Sequence, residues 1–398
     1  MLSFVRTDAQ RALLEVAARL APAFAERAAA HDRDASFPFE NFVEIQQAGL
    51  LGLTAPVEFG GQGRGVLDTA LLLERLARAD GSTALALGWH LSNIGKLAES
   101  RAWSDEQRAR VFTAAVRDGG LLNSAASEHA TGSPSRGGRP TTRARRTADG
   151  WVLDGRKVYV TAAPALAHFI VSATVEEPGG PGFGNFLVPQ GAPGVRVEAT
   201  WDAIGMRASG SDDVVMEGCR LAPDARLDTA PKPGRSNGGG WALHTPAVYL
   251  GVAQAARDFA AAFAAFRQPN SATAPIGEAP HIQQRLARVE MALLPARTLL
   301  FTLAERWDGS TPEARAGLGP ALAACKTIAI QSGLNAVDEA MRVVGAPGLT
   351  RAMPIERYYR DLRAGLHNPP MEDTVWPLLA NAMLREATAS QDSIVSAT

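Results

Sequence analysis

From Asp8 to about Gly120, apolar residues recur at spacings of three and four. Leu13, Val16, Leu20 and Phe24 therefore share one face of a helix. That face predicts a buried seam in an N-terminal helical region, residues 1–120. After Gly120 the texture changes. Trp151-Val152-Leu153, then Asp154-Gly155, then Lys157 to Thr161 predict a hairpin closed by a tight turn. Short strands are expected at 169–175, 185–188 and 213–216, within a β region of residues 121–229. The Pro- and Gly-rich stretch from Ala230 to Gly240 reads as a linker, and Gln268 to Pro280 as a second mobile connection. Ile282, Leu286, Val289, Leu293, Ala296 and Leu300 then predict a long helix packed in a bundle, kinked at Pro295. Leu334, Val337, Met341 and Val344 continue the same period, so residues 241–398 read as a helical bundle. The order is helices, a small β domain, then more helices.

Charge narrows the partners. The chain of 398 residues carries 40 basic and 41 acidic side chains with no long run of one sign, which argues against nucleic acid or an anionic membrane and favours a small-molecule substrate. Two cysteines, Cys219 and Cys325, lack ligand-type spacing, so no metal site is expected and both thiols read as structural. No charged-then-apolar leader precedes Thr7, and no apolar run reaches the roughly 18 residues of a membrane span. These features predict a soluble protein of a reducing, cytoplasmic compartment.

Five segments carry the candidate chemistry. They are Phe37 to Gly63 (FPFENFVEIQQAGLLGLTAPVEFGGQG), Glu128-His129-Ala130-Thr131-Gly132-Ser133, Lys157 to Thr161, Ile204 to Ser211 (IGMRASGS) and Ile355 to Asp361 (IERYYRD). Each has an ordinary reading as a helix face, a strand or a polar turn. Their shared order resembles that of the acyl-CoA dehydrogenase superfamily over nearly the whole chain. The resemblance implies a mostly α fold with a central β domain: an N-terminal helical domain, a small β-barrel or sandwich and a C-terminal four-helix bundle. It also implies FAD, with FMN as the alternative, and a homotetramer.

By the same resemblance, Thr161 matches the position facing flavin N5, and Tyr159 the aromatic position beside the isoalloxazine. Ser127 matches the contact at the pyrimidine end, and Ser133 one near the pyrophosphate. In the family a neighbouring subunit also contacts the FAD. Its Arg-x-x-Phe-Gly element is not recognisable between Arg267 and Gly277, while its Gly-Gly-x-Gly turn survives in part as Gly345-Ala346-Pro347-Gly348.

Dehydrogenation of an acyl thioester needs a carboxylate to take the α-proton. Counted from Arg360-Asp361, the family's usual glutamate position falls on Pro369, or on Asn368 if the loop shifts by one. The alternative position, on the first helix after the β domain, falls on Trp241. What remains near the slot is His367, with Glu372 as a displaced base and His90 as a further candidate beside Trp89. Three readings follow. The first is α,β-dehydrogenation of an acyl-CoA, with an electron-transfer flavoprotein as partner, placed first because most chains of this pattern resemble such enzymes. Nearly level with it is a two-component monooxygenase fed by a flavin reductase, which resembles this chain in keeping a His near the C-terminal loop and lacking the glutamate. The third is a flavin- or acyl-binding protein without turnover.

Overall fold

The computed structural model describes residues 3–100, 103–131, 137–177, 180–227 and 239–395, with side chains to 388. Thr7 begins the first helix through a capping box: its hydroxyl accepts from the Gln10 N–H, while the Gln10 side chain accepts from the Thr7 N–H. Helix α1 (Asp8–Asp34) buries Leu13, Ala17 and Phe24, and α2 (Phe39–Gln47), α3 (Val66–Ala77), α4 (Gly81–Glu99) and α5 (Asp105–Thr113) follow. Nearly every residue of α3 and α4 is buried, so these two helices run through the interior. The Asp80 carboxylate caps α4 by accepting from the Ser82 N–H at 3.0 Å.

The β region is one sheet of β1 (Leu121–Ala125), β2 (Arg143–Thr147), β3 (Gly150–Val160), β4 (Leu166–Val175), β5 (Gly182–Pro189), β6 (Val195–Glu198), β7 (Asp212–Leu221) and β8 (Arg226–Leu227). The order across it is β6-β7-β3-β2-β4-β5-β8, with β1 added parallel to β4. The expected strands at 169–175, 185–188 and 213–216 lie within β4, β5 and β7. The expected hairpin lies elsewhere: β3 continues through Asp154-Gly155, and the turn that closes β2 onto β3 comes earlier, between Thr147 and Gly150. The pairing of β3 with β7 shifts register between Leu153 and Gly155, so the Asp-Gly pair forms an irregularity inside a strand. A Cβ on Gly155 would lie 2.4 Å from the Thr142 hydroxyl, which is why glycine stands there.

Five further helices form the C-terminal part after β8 and the turn Gly239–Leu243: α6 (His244–Phe266), α7 (Pro280–Asp308), α8 (Pro312–Ala316), α9 (Gly319–Val344) and α10 (Ile355–Ala364). A sixth, α11 (Glu372–Val395), completes the chain. The predicted seam of α7 is buried at Ile282, Val289, Leu293, Ala296 and Leu300, and the helix continues on both sides of Pro295. Residues 230–238 of the expected linker lie outside the described residues. The second expected connection contains a short turn of 3-10 helix at Ile276–Glu278.

Polar contacts fasten these parts together. Asp308, at the end of α7, accepts from the Val66 and Leu67 N–H groups at 2.9 and 2.8 Å, placing a carboxylate at the N-terminus of α3. The Glu74 carboxylate in α3 takes two hydrogen bonds from Arg297 of α7 at 2.5 and 3.0 Å, both groups buried. The Ile204–Ser211 segment meets α10: the Met206 N–H donates to Asp361 at 2.6 Å, and the Arg360 guanidinium bridges Asp32 of α1, Glu356 and the Ile204 carbonyl.

Gly205 is fixed by that approach, since a Cβ there would stand 2.2 Å from the Arg360 carbonyl oxygen. Gly205→Ala must force β-region and α10 backbones apart, and we expect a loss of about 1–3 kcal/mol in chemical denaturation. An unchanged midpoint would mean that the two segments separate freely.

Candidate functional site

The site is built where the β region meets α4. At the end of β3 the backbone bends through two non-glycine residues of positive φ, Tyr159 at 59° and Ala162 at 64°. Such conformations cost roughly 1–3 kcal/mol each unless surrounding contacts hold them. Those contacts are present: the Ala162 and Ala163 N–H groups donate to the Ser209 and Gly210 carbonyls at 2.9 and 3.0 Å. The bend turns Tyr159 outward, 62 % exposed, edge-on to His129 and Trp201 with ring centroids 6.2 and 6.3 Å away.

Thr161 points inward. Its hydroxyl meets Ser211 at 3.0 Å, and Ser211 meets Ser209 at 2.8 Å. Its carbonyl accepts from the Asn123 amide at 3.0 Å, and Asn123 in turn accepts from Asn93 of α4 at 3.1 Å. Asn93 also donates to the Trp89 carbonyl at 2.8 Å. A chain of neutral hydrogen-bonding groups thus runs from α4 through β1 to the end of β3. Ser209 and Ser211 belong to the Ile204–Ser211 segment that the sequence marked, whereas Asn93 and Asn123 carried no such mark. Asparagine in an apolar run, as at Leu121-Leu122-Asn123, was the available signal, because a buried amide must find partners.

Beneath this surface lies a buried ion pair. Lys157 Nζ, completely buried, donates to Glu128 at 2.6 Å and to Ser172 at 3.3 Å. The same carboxylate accepts from the N–H and hydroxyl groups of both Thr141 and Thr142, at 2.5 to 3.0 Å. Burial opposes ionisation of Glu128, but the hydrogen bonds from Lys157, Thr141 and Thr142 outweigh it and hold the carboxyl down at about 2. Burial pushes the Lys157 ammonium down to about 8 despite its partner. The pair fixes the loop that carries Ser127, whose carbonyl accepts from the Val158 N–H at 3.0 Å.

Ser127, Tyr159 and Thr161 are therefore brought together, while Ser133 lies outside the described residues. Gly345 and Gly348 stand apart at the end of α9, where Gly345 at φ 73° stops the helix and Gly348 packs on Val344 and Ile355. His90 is buried with both ring nitrogens occupied. Nε2–H donates to the Leu51 carbonyl at 2.9 Å, and Nδ1 accepts from the Leu122 N–H at 3.0 Å. Burial pushes it down to about 4, so it is a neutral backbone bridge with no nitrogen left for a substrate. Cys219 and Cys325 are buried, unbridged thiols, pushed up by burial to about 11 and about 12.

The loop from α10 to α11 carries the rest. His367 is exposed and Glu372 half-buried. Asn368 accepts from the buried Tyr249 hydroxyl at 2.5 Å, and Trp241 is buried against Gly95. Neither slot for a glutamate holds a carboxylate. Among the described residues no cluster of His, Cys, Asp or Glu could hold a metal, and no helix is long and apolar enough to cross a membrane.

This arrangement, helices flanking a sheet whose strand ends meet a buried helix, is that of a known class. Residues 7–118, 123–219 and 242–366 match the N-terminal, middle and C-terminal domains of acyl-CoA dehydrogenases. The chain belongs to the acyl-CoA dehydrogenase family. It is 44% identical to the putative acyl-CoA dehydrogenase YdbM of Bacillus subtilis (strain 168) over 96% of this chain and 98% of that one. It is 32% identical to L-evernosamine nitrososynthase of Micromonospora sp. over 90% of this chain and 86% of the other. TdsC of Paenibacillus sp. A11-2, a dibenzothiophene monooxygenase solved with FMN and indole, superposes with a TM-score of 0.83 at 26% identity, over 94% of this chain and 97% of that one.

Because the folded state holds Glu128 at about 2, below its ordinary value of 4.5, the stability it contributes is present above pH 4.5 and fades as pH falls toward 2. Glu128→Gln leaves Lys157 buried and uncompensated, and we expect a loss of about 3–5 kcal/mol at neutral pH. Urea titrations at neutral and acid pH test both statements; a variant as stable as the wild type at neutral pH would show that the pair does not secure the loop.

Proposed function

We propose that this protein is a flavin-dependent oxygenase, which takes reduced FMN or FAD from a reductase and uses O₂ to oxidise a small molecule. The observation that carries the reading is the neutral character of the site. Both glutamate positions hold Pro369 or Asn368 and Trp241, so proton abstraction from an acyl thioester lacks its base. The likeness to a nitrososynthase and to a monooxygenase solved with FMN supports the same choice.

The residues present fit a flavin. Tyr159 offers an aromatic face left uncovered at 62 % exposure, and Thr161 and Ser127 stand on the two adjoining segments. When bound, a reduced flavin supplies two electrons to O₂, one oxygen atom passing to the substrate and the other leaving as water. The chain's own groups do the rest. Asn123, in contact with the Thr161 carbonyl, fixes the polar edge of the slot. The His367 imidazole, exposed on a loop tied down through Asn368 and Tyr249, would supply the proton that release of water requires.

The second reading is dehydrogenation, favoured by the likeness to YdbM, with Glu372 at the start of α11 as the displaced base. Reductase-coupled turnover, followed by mass spectrometry of products that gain one oxygen atom, separates the two. We expect His367→Ala to lower turnover by about 10²–10⁴ and Glu372→Gln to change it by no more than a few-fold. The reverse pattern, activity lost with Glu372 and kept without His367, would establish Glu372 as the base and end the oxygenase reading.

A further inference from the structure

A cavity of about 470 Å³ opens between the C-terminal end of α4 and the N-terminal end of α9, within the size range of small-molecule sites. Its walls are small and apolar at Ala242, Ala316, Leu322, Ala323 and Pro370, with the Trp307 ring along one side. The charged groups at its rim cancel. Glu99 is paired with Arg315 at 3.1 Å and accepts from Trp307 Nε1 at 3.4 Å. Pro370 belongs to the loop that carries His367, so the cavity adjoins the candidate site.

Two lysines lie one helical turn inside this rim, on the two helices that frame it. Lys96 precedes Glu99 by three residues on α4, and Lys326 follows Leu322 and Ala323 by four and three on α9, spacings that put each on the same helix face as the cavity residues. Lys326 is 4 % exposed. Among the described residues no oxygen accepts a hydrogen bond from either ammonium. The indole Nε1 groups of Trp241 and Trp89 are buried without partners as well. Trp241 packs on Gly95, and Trp89 lies edge-on to His244 at 4.5 Å. Burial pushes both lysines down to about 8, with Glu372 beside Lys326 as the opposing influence. Two ammonium groups without an acceptor, each one helical turn from the lining of an apolar cavity, describe an incomplete hydrogen-bonding set.

We propose that this cavity binds a small organic acid, its apolar body between Trp307 and the alanines and its anionic group on Lys326, with Lys96 as a further donor. The cavity thereby selects the substrate of the oxygenation proposed above, and in that respect it rests on that reading. The route to the flavin segment is continuous: Trp241 accepts from His244 Nδ1 at 2.7 Å, His244 packs on Trp89, and the Trp89 carbonyl joins the Asn93–Asn123–Thr161 chain.

Matched acids and amides test this without turnover. In calorimetric titrations of the full-length protein with benzoate against benzamide and hexanoate against hexanamide, each acid should bind about tenfold or more tighter than its amide. Lys326→Met should erase that preference and Lys326→Arg should keep it, with melting curves showing that both variants are folded. Equal affinities for acid and amide in the wild type would overturn the proposal. So would a preference that survives in both Lys326→Met and Lys96→Met. An acid preference without any oxygenated product would count against oxygenation alone, while oxygenation of neutral compounds with no acid preference would count against the acid site alone.

Discussion

The interaction on which the β region and its site depend is the buried Glu128–Lys157 pair. A lysine with no exposed surface is tolerable only if its charge is compensated, and here one carboxylate does so while accepting four further hydrogen bonds from Thr141 and Thr142. The pair joins the loop after β1 to the middle of β3. The two segments that would flank a flavin are therefore one rigid unit, and the positive φ values of Tyr159 and Ala162 can persist at its edge.

A second constraint crosses the molecule. Asp361 receives the Met206 N–H, Arg360 bridges α1 and the Ile204 carbonyl, and Gly205 lets the two backbones touch. The α10 helix that leads into the His367 loop is thus referenced to the β region. Tyr249 then fixes the loop itself through Asn368. The Ser127 and Thr161 segments and the loop are each held in place by polar contacts. A site of this kind is preorganised, and its chemistry depends on which side chains the loop presents.

Much of this was legible in the sequence. The three-and-four periodicity of α1, α7 and α9 marked their buried faces, and the order of the short motifs carried the family. Asp154-Gly155 misled because an Asp-Gly pair serves equally in a turn or in a strand irregularity; only the partner strand β7 and the approach of Thr142 decide it. His90 drew attention as an isolated histidine next to Trp89, yet its two nitrogens bridge residues 39 positions before it and 32 after it, contacts no local pattern records. The Asn93–Asn123–Thr161 chain and the Lys96 and Lys326 pair escaped for the same reason. The chain joins elements distant in sequence, the two lysines stand on separate helices, and a single polar residue in an apolar run does not announce its surroundings.

The central claim is that electrons reach this protein from a reduced flavin and leave to O₂, and that no acyl thioester supplies them. The most direct measurement is an anaerobic titration of the flavin-loaded protein with a series of acyl-CoAs, following the absorbance of the oxidised flavin. The account predicts that the oxidised spectrum persists with every thioester. Full bleaching by any of them would contradict it, because a base would then have to exist that neither glutamate position contains.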